Sequence, residues 1–159
     1  MSNWKSFLHA DPTCWLLEED NPSIRYYTLI NILDKSHDNP EVIESKNKIM
    51  EIGVVPKILS KQEAVGYWGI PENFYLRGKY KGTSWQLIIL AEFGVDIKDK
   101  RIKKACEFIF KNSQDPESGG FAYMSNEGGT GDHEKVLPCL TANMAWSLTR
   151  LGYEDLKNC

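Results

Sequence analysis

Three stretches of the chain are apolar on almost every helical face: SIRYYTLINIL from Ser23, TSWQLIILAEFG from Thr83 and LTANMAWSLTRLG from Leu140. A helix that is hydrophobic all round is stable only when covered all round, so the pattern predicts three interior helices. RIKKACEFIFKNS, residues 101 to 113, is built differently. Ile102, Ala105, Cys106 and Ile109 fall at i, i+3, i+4 and i+7, with Lys103, Lys104 and Glu107 on the other side, which predicts an amphipathic helix lying outside an interior one. No strand-length alternating run competes, and the fold class read from the pattern is all-α.

Caps and breakers divide the pattern in the same places. Thr83 and Thr141 stand where N-caps are wanted, and Asn21-Pro22 and Asn39-Pro40 each offer a cap followed by proline in the first turn. Gly94 and Gly152 follow the last periodic residues as helix-ending glycines. A second helix starting at Pro40 is expected to break near Gly53 and restart around Val55-Pro56, because proline fits only a first turn.

Superposing Thr83 on Thr141 also superposes Leu90 on Leu148 and Gly94 on Gly152. The outer helices end alike as well: SKQEAVGYWG carries Gln62, Gly66 and Trp68, and NSQDPESGGF carries Gln114, Gly120 and Phe121. The chain therefore reads as one domain over residues 1–159, built from units at approximately 15–82, 83–138 and 139–159. Each full unit is an interior helix, an amphipathic helix and a Gly-aromatic turn. Such a series closes into an α/α toroid or winds into an open solenoid.

These residues carry a resemblance. The Gln-Gly-aromatic sets resemble the QW-type repeat of squalene and terpenoid cyclases and, more broadly, the barrel of protein prenyltransferase β subunits. NPSIRYYTLINIL, KYKGTSWQLIILAEFGVD and CLTANMAWSLTRLGYED are similar to segments of small bacterial and archaeal proteins with prenyltransferase or squalene-oxidase repeats. The resemblance spans roughly Trp15 to Asp155. It implies part of an α/α toroid, an incomplete ring, in which Gln62 and Gln114 tie an outer helix to the next helix and Trp68 and Phe121 pin the turns. It also implies an apolar or isoprenoid ligand in an aromatic interior, for which Trp85, Tyr27, Trp146 and Met144 are the candidates.

The family's reactive motifs are missing. A cyclase of this kind protonates an alkene with an aspartate-rich DxDD element, and DIKDK at Asp96 has the wrong spacing. No DDxxD-like magnesium site appears either. Protein prenyltransferases hold zinc with Asp, Cys and His. Here Asp132, His133 and Cys139 come close together in GDHEKVLPC, at the mouth of an interior helix, where a helix N-terminus favours a thiolate. The family's Asp-x-Cys spacing is absent, so the plainer reading is a loop histidine and a small residue in the first turn, with no cofactor. His9 and His37 fit no ligand spacing. The glycines of SNEGGTGDH, Ser125 to His133, lack the context of a phosphate loop and suggest a mobile connection with a lid role.

Composition narrows the partners. A hydrophobic share of 42% with 26% charged residues is that of a globular chain. A net charge of -3 leaves no basic footprint for nucleic acid. No apolar run is long enough for a transmembrane segment and no leader is recognisable, so the expectation is a cytoplasmic protein. Cys14, Cys106, Cys139 and Cys159 form no CxxC pair and read as free, mostly buried thiols. After Leu151 too few residues follow for an outer partner helix. Completion of the ring by self-association or by a partner chain is therefore expected, since monomers rarely leave large apolar faces open. Two functions fit: a cyclase-like or prenyltransferase-like repeat protein that binds an apolar ligand without catalysing on its own, or a noncatalytic HEAT-like scaffold for another protein. Whether the chain is an enzyme stays open.

Overall fold

The computed structural model describes residues 7–153. Cys159 and the last residues of the 139–159 unit lie outside the described residues. Among the described residues seven α-helices span Thr13–Leu16 (α1), Pro22–Asn31 (α2), Pro40–Lys48 (α3), Val54–Leu59 (α4), Thr83–Glu92 (α5), Lys100–Ser113 (α6) and Pro138–Leu151 (α7). Among the described residues there is no strand, only isolated bridges within the loops. The chain divides into two compact units between Pro56 and Lys57.

In the first unit α2 packs on α3. The Asn39 side chain accepts from the Glu41 N–H and Pro40 takes the first turn, which starts α3 where the sequence predicts. Tyr26, Leu29, Val42 and Ile49 are buried. The Asn21 side chain makes no capping bond, so α2 starts on its proline alone. The chain turns at Gly53, whose φ of +82° is a left-handed conformation, before α4 begins.

In the second unit α5 packs on both α6 and α7. Asp99 caps α6 by accepting from the Arg101 N–H, and Ile102, Ala105, Cys106 and Ile109 are fully buried, as their spacing predicts. The C-terminal halves of α5 and α7 meet each other. Ile97 N–H donates to Leu151 O at 2.8 Å and the Arg150 guanidinium to Ala91 O at 3.4 Å. The C-terminal ends of both helices thus lie side by side.

Three expectations are corrected. Thr83 and Thr141 are not N-caps: Gly82 and Leu137 hold those positions, without side-chain capping bonds. The threonine hydroxyls are engaged elsewhere, as described below. Helix α7 is not covered on every face either, because Pro138, Cys139, Ala142, Ala145, Trp146, Thr149 and Arg150 are exposed. Of the described thiols only Cys106 is buried, while Cys14 and Cys139 are exposed.

Candidate functional site

Four hydrogen bonds recur between the two Gly-aromatic turns and define which residues correspond. Gln62 Nε2 donates to Gly66 O at 3.1 Å, and Gln114 Nε2 to Gly119 O at 3.3 Å. Gly66 N–H donates to Glu63 O and Gly119 N–H to Asp115 O. Glu63 N–H donates to Tyr67 O and Asp115 N–H to Gly120 O, both at 2.8 Å. Finally, Trp68 N–H donates to Thr83 Oγ1 at 3.1 Å and Phe121 N–H to Thr141 Oγ1 at 2.9 Å. The counterpart of Gly66 is thus Gly119, with φ +107° and +72°, and not Gly120, which stands in the place of Tyr67. Gly120 is needed for another reason: a Cβ there would lie 2.6 Å from Val136 Cγ1.

The first turn is tied more widely. Gln62 Nε2 also donates to Arg101 O at 2.9 Å, joining the end of α4 to the first turn of α6. A Cβ on Gly66 would lie 2.6 Å from Lys104 O, so the turn touches the α6 backbone directly. Trp68 is 3% exposed and its indole N–H donates to Ile58 O at 2.9 Å. One residue thereby holds α4 through its ring and α5 through its backbone. Phe121 has no ring donor and instead meets Phe110 edge-on.

Partly buried Trp85 on α5 collects two tyrosines from the loop before it. Trp85 stacks on Tyr75 with centroids 4.8 Å apart and planes 6° from parallel, and its indole N–H donates to Tyr75 O at 2.9 Å. Tyr80 leans on the same ring at 4.9 Å while remaining 60% exposed. Its φ of +62° is unusual for a bulky residue and costs about 1–3 kcal/mol. Two features hold it there. The buried Gln86 amide donates to Tyr80 O at 2.7 Å, and the Gly78 carbonyl accepts from both Lys81 and Gly82 N–H. Along α5 the incompletely buried residues are Trp85, Ile88, Ile89 and Glu92, spaced i, i+3, i+4 and i+7, so they form one stripe. At its far end Glu92 Oε1 accepts from the Trp146 indole at 3.0 Å.

Of the four sequence candidates for ligand contact, Trp85 and Trp146 therefore mark the two ends of this stripe. Met144 is fully buried and belongs to the core. Tyr27 lies on α2 in the first unit, half-buried and edge-on to Tyr26. Tyr75 and Tyr80 were missed by periodicity because they sit in a loop. The glycines flanking Tyr80, at 78 and 82, are the signal that could have marked it.

Asp132, His133 and Cys139 do not converge, and among the described residues no group of three or more His, Cys, Asp and Glu is placed to hold a metal ion. Asp132 caps the short 3-10 turn His133–Lys135 by accepting from Glu134 N–H. Cys139 is exposed in the first turn of α7. His133 Nδ1 lies 2.8 Å from Oδ2 of the buried Asp115, a residue that the zinc reading left out. The Ser118 hydroxyl, then His133 and the backbone N–H groups of Ser118 and Glu117 hold the Asp115 carboxyl well below the usual range. The hydrogen bond that His133 donates to Asp115 and the charge of Glu117, 3.7 Å away, push His133 up. The sequence Asp115-Pro116-Glu117-Ser118 is an Asx-turn pattern. That pattern is the sequence signal for Asp115.

The glycine-rich loop is also better built than a mobile lid. Asn126 Oδ1 accepts from Thr130 N–H, its amide donates to Thr130 Oγ1, and Gly131 N–H donates to Gln114 O at 3.0 Å. The described residues contain no helix long and apolar enough to cross a membrane. Comparison of the chain with family models, with curated proteins and with solved structures finds no match.

Proposed function

We propose that the chain is a helical-repeat binding module of the terpenoid cyclase and prenyltransferase type. In this reading the repeats belong to an incomplete α/α toroid, and the module takes an apolar ligand, with an isoprenoid as first candidate, along α5 without catalysing a reaction by itself. The observation that carries this reading is the stripe running from Tyr80 and Trp85 through Ile88 and Ile89 to Trp146. Seven residues of helix rise about 10 Å, enough for a run of branched hydrocarbon. Rings at both ends offer large apolar area at small entropic cost. A bulky residue kept at positive φ so that its ring stays exposed is an expense that folding alone does not require. The recurrence of the Gln-Gly-aromatic bonds supports the repeat architecture.

A panel of squalene, polyprenols and polyprenyl diphosphates tests this by thermal shift. A rise in melting temperature that grows with ligand concentration supports it, and no response across the panel removes it. The alternative is a scaffold whose docking surface is the exposed face of α7, including Ala142, Ala145 and Trp146. It predicts a change in molecular mass in solution, by self-association or with a partner, that Trp146→Glu abolishes.

A further inference from the structure

We infer that His133 and Asp115 form a pH-dependent latch that holds the glycine-rich connection between α6 and α7 against the end of α6. Asp115 opens that connection and His133 closes it, 18 residues later, through the 2.8 Å contact. The carboxylate is buried, whereas the imidazole side chain is 57% exposed, so the proton on the exposed ring can exchange with solvent while its partner cannot move into water. Two further contacts share the latch's base. Gly131 N–H donates to Gln114 O, and a Cβ on Gly131 would lie 2.3 Å from Ser113 O, so this segment lies directly on the last residues of α6.

The charged groups bearing on the imidazole are Asp115 from the loop start, Glu117 from the turn that follows it, and Glu134 from its own 3-10 turn. All three are carboxylates, and each favours the imidazolium. Below the imidazole's titration the contact joins two opposite charges; above it the neutral ring can still donate from Nδ1, but the ion-pair attraction is gone. Ser118 and two backbone N–H groups still satisfy the buried carboxylate. The asymmetry decides the direction. The Asx turn at Asp115 persists when the proton leaves, while the returning segment carrying Gly131 and His133 loosens.

Nuclear magnetic resonance titration from pH 5 to 9 tests the latch, with no ligand required. The expected result is a His133 ring midpoint above the ordinary value of about 6.5, with the Gly131 amide resonance shifting at that same midpoint. Glu117→Gln, at an exposed position, lowers the midpoint and keeps the fold; Asp115→Asn lowers it further and uncouples Gly131. A midpoint at or below the ordinary value, or a Gly131 amide that does not respond to the His133 titration, overturns the proposal.

Discussion

Trp68 and Thr83 are bonded in both directions: the Trp68 N–H donates to Thr83 Oγ1 at 3.1 Å, and the Thr83 hydroxyl lies 3.3 Å from Trp68 O as a donor. Thr83 is fully buried, so the hydroxyl is the only partner that could replace water for this backbone N–H. Thr83→Val keeps the shape and removes the bond, and is expected to lower stability by about 1–3 kcal/mol. Thr83→Ser retains the hydroxyl and costs less. Urea unfolding of the two variants measures the difference, and equal losses would mean that methyl packing, not the hydrogen bond, holds the turn.

The two turn glycines separate strain from crowding. Gly66→Ala meets both a φ of +107° and the Lys104 carbonyl at 2.6 Å, whereas Gly119→Ala meets a φ of +72° with nothing within 4 Å. Gly119→Ala is expected to cost about 1 kcal/mol, the ordinary price of a left-handed alanine, and Gly66→Ala clearly more. Matching losses in denaturant midpoint would contradict direct contact between this turn and α6.

Tyr80 gives a prediction of opposite sign for stability and binding. Asparagine tolerates left-handed backbone far better than tyrosine, so Tyr80→Asn relieves strain and is expected to hold or raise the melting temperature. The same change removes the exposed ring from Trp85 and weakens capture of an apolar ligand. A large loss of stability would show that Tyr80 serves the fold.

The latch sets a pH window for stability. Asp115 titrates lower in the folded chain than its ordinary value near 3.9, so its contribution is present above that value and is lost as pH falls. His133 titrates higher than its ordinary value near 6.5, so its contribution is present below that value and is lost as pH rises through the raised one. The stability gap between the natural chain and His133→Gln is therefore expected to be widest at about pH 5–6 and to narrow toward pH 9 and toward pH 3. A gap that does not change with pH would contradict the assignment.

Helix positions were legible because periodicity and proline-linked starts are local. Asn39-Pro40, Asp99 and Gly94 mark boundaries from neighbouring residues alone, and the α6 core positions follow from spacing. The turn registers were legible to within one residue: Gly120 is adjacent to Phe121 in sequence, yet the Gln114 side-chain bond and the Gly119 N–H bond to Asp115 O identify Gly119 as the counterpart of Gly66. Met144 and Trp146 look alike in an apolar helix. Which one faces solvent depends on where α5 lies, a long-range fact. Asp115 and His133 are 18 residues apart, and their pairing depends on the fold of the intervening loop.

The most direct test of the central claim is calorimetric titration of a farnesyl-length polyprenol into the natural chain and into the Trp85→Ala, Trp146→Ala double variant. The account predicts saturable binding with a negative heat-capacity change, the mark of buried apolar surface, weakened by about 10-fold or more in the double variant, a loss of about 1.4 kcal/mol. No saturable binding, or binding that the double variant leaves unchanged, would contradict it.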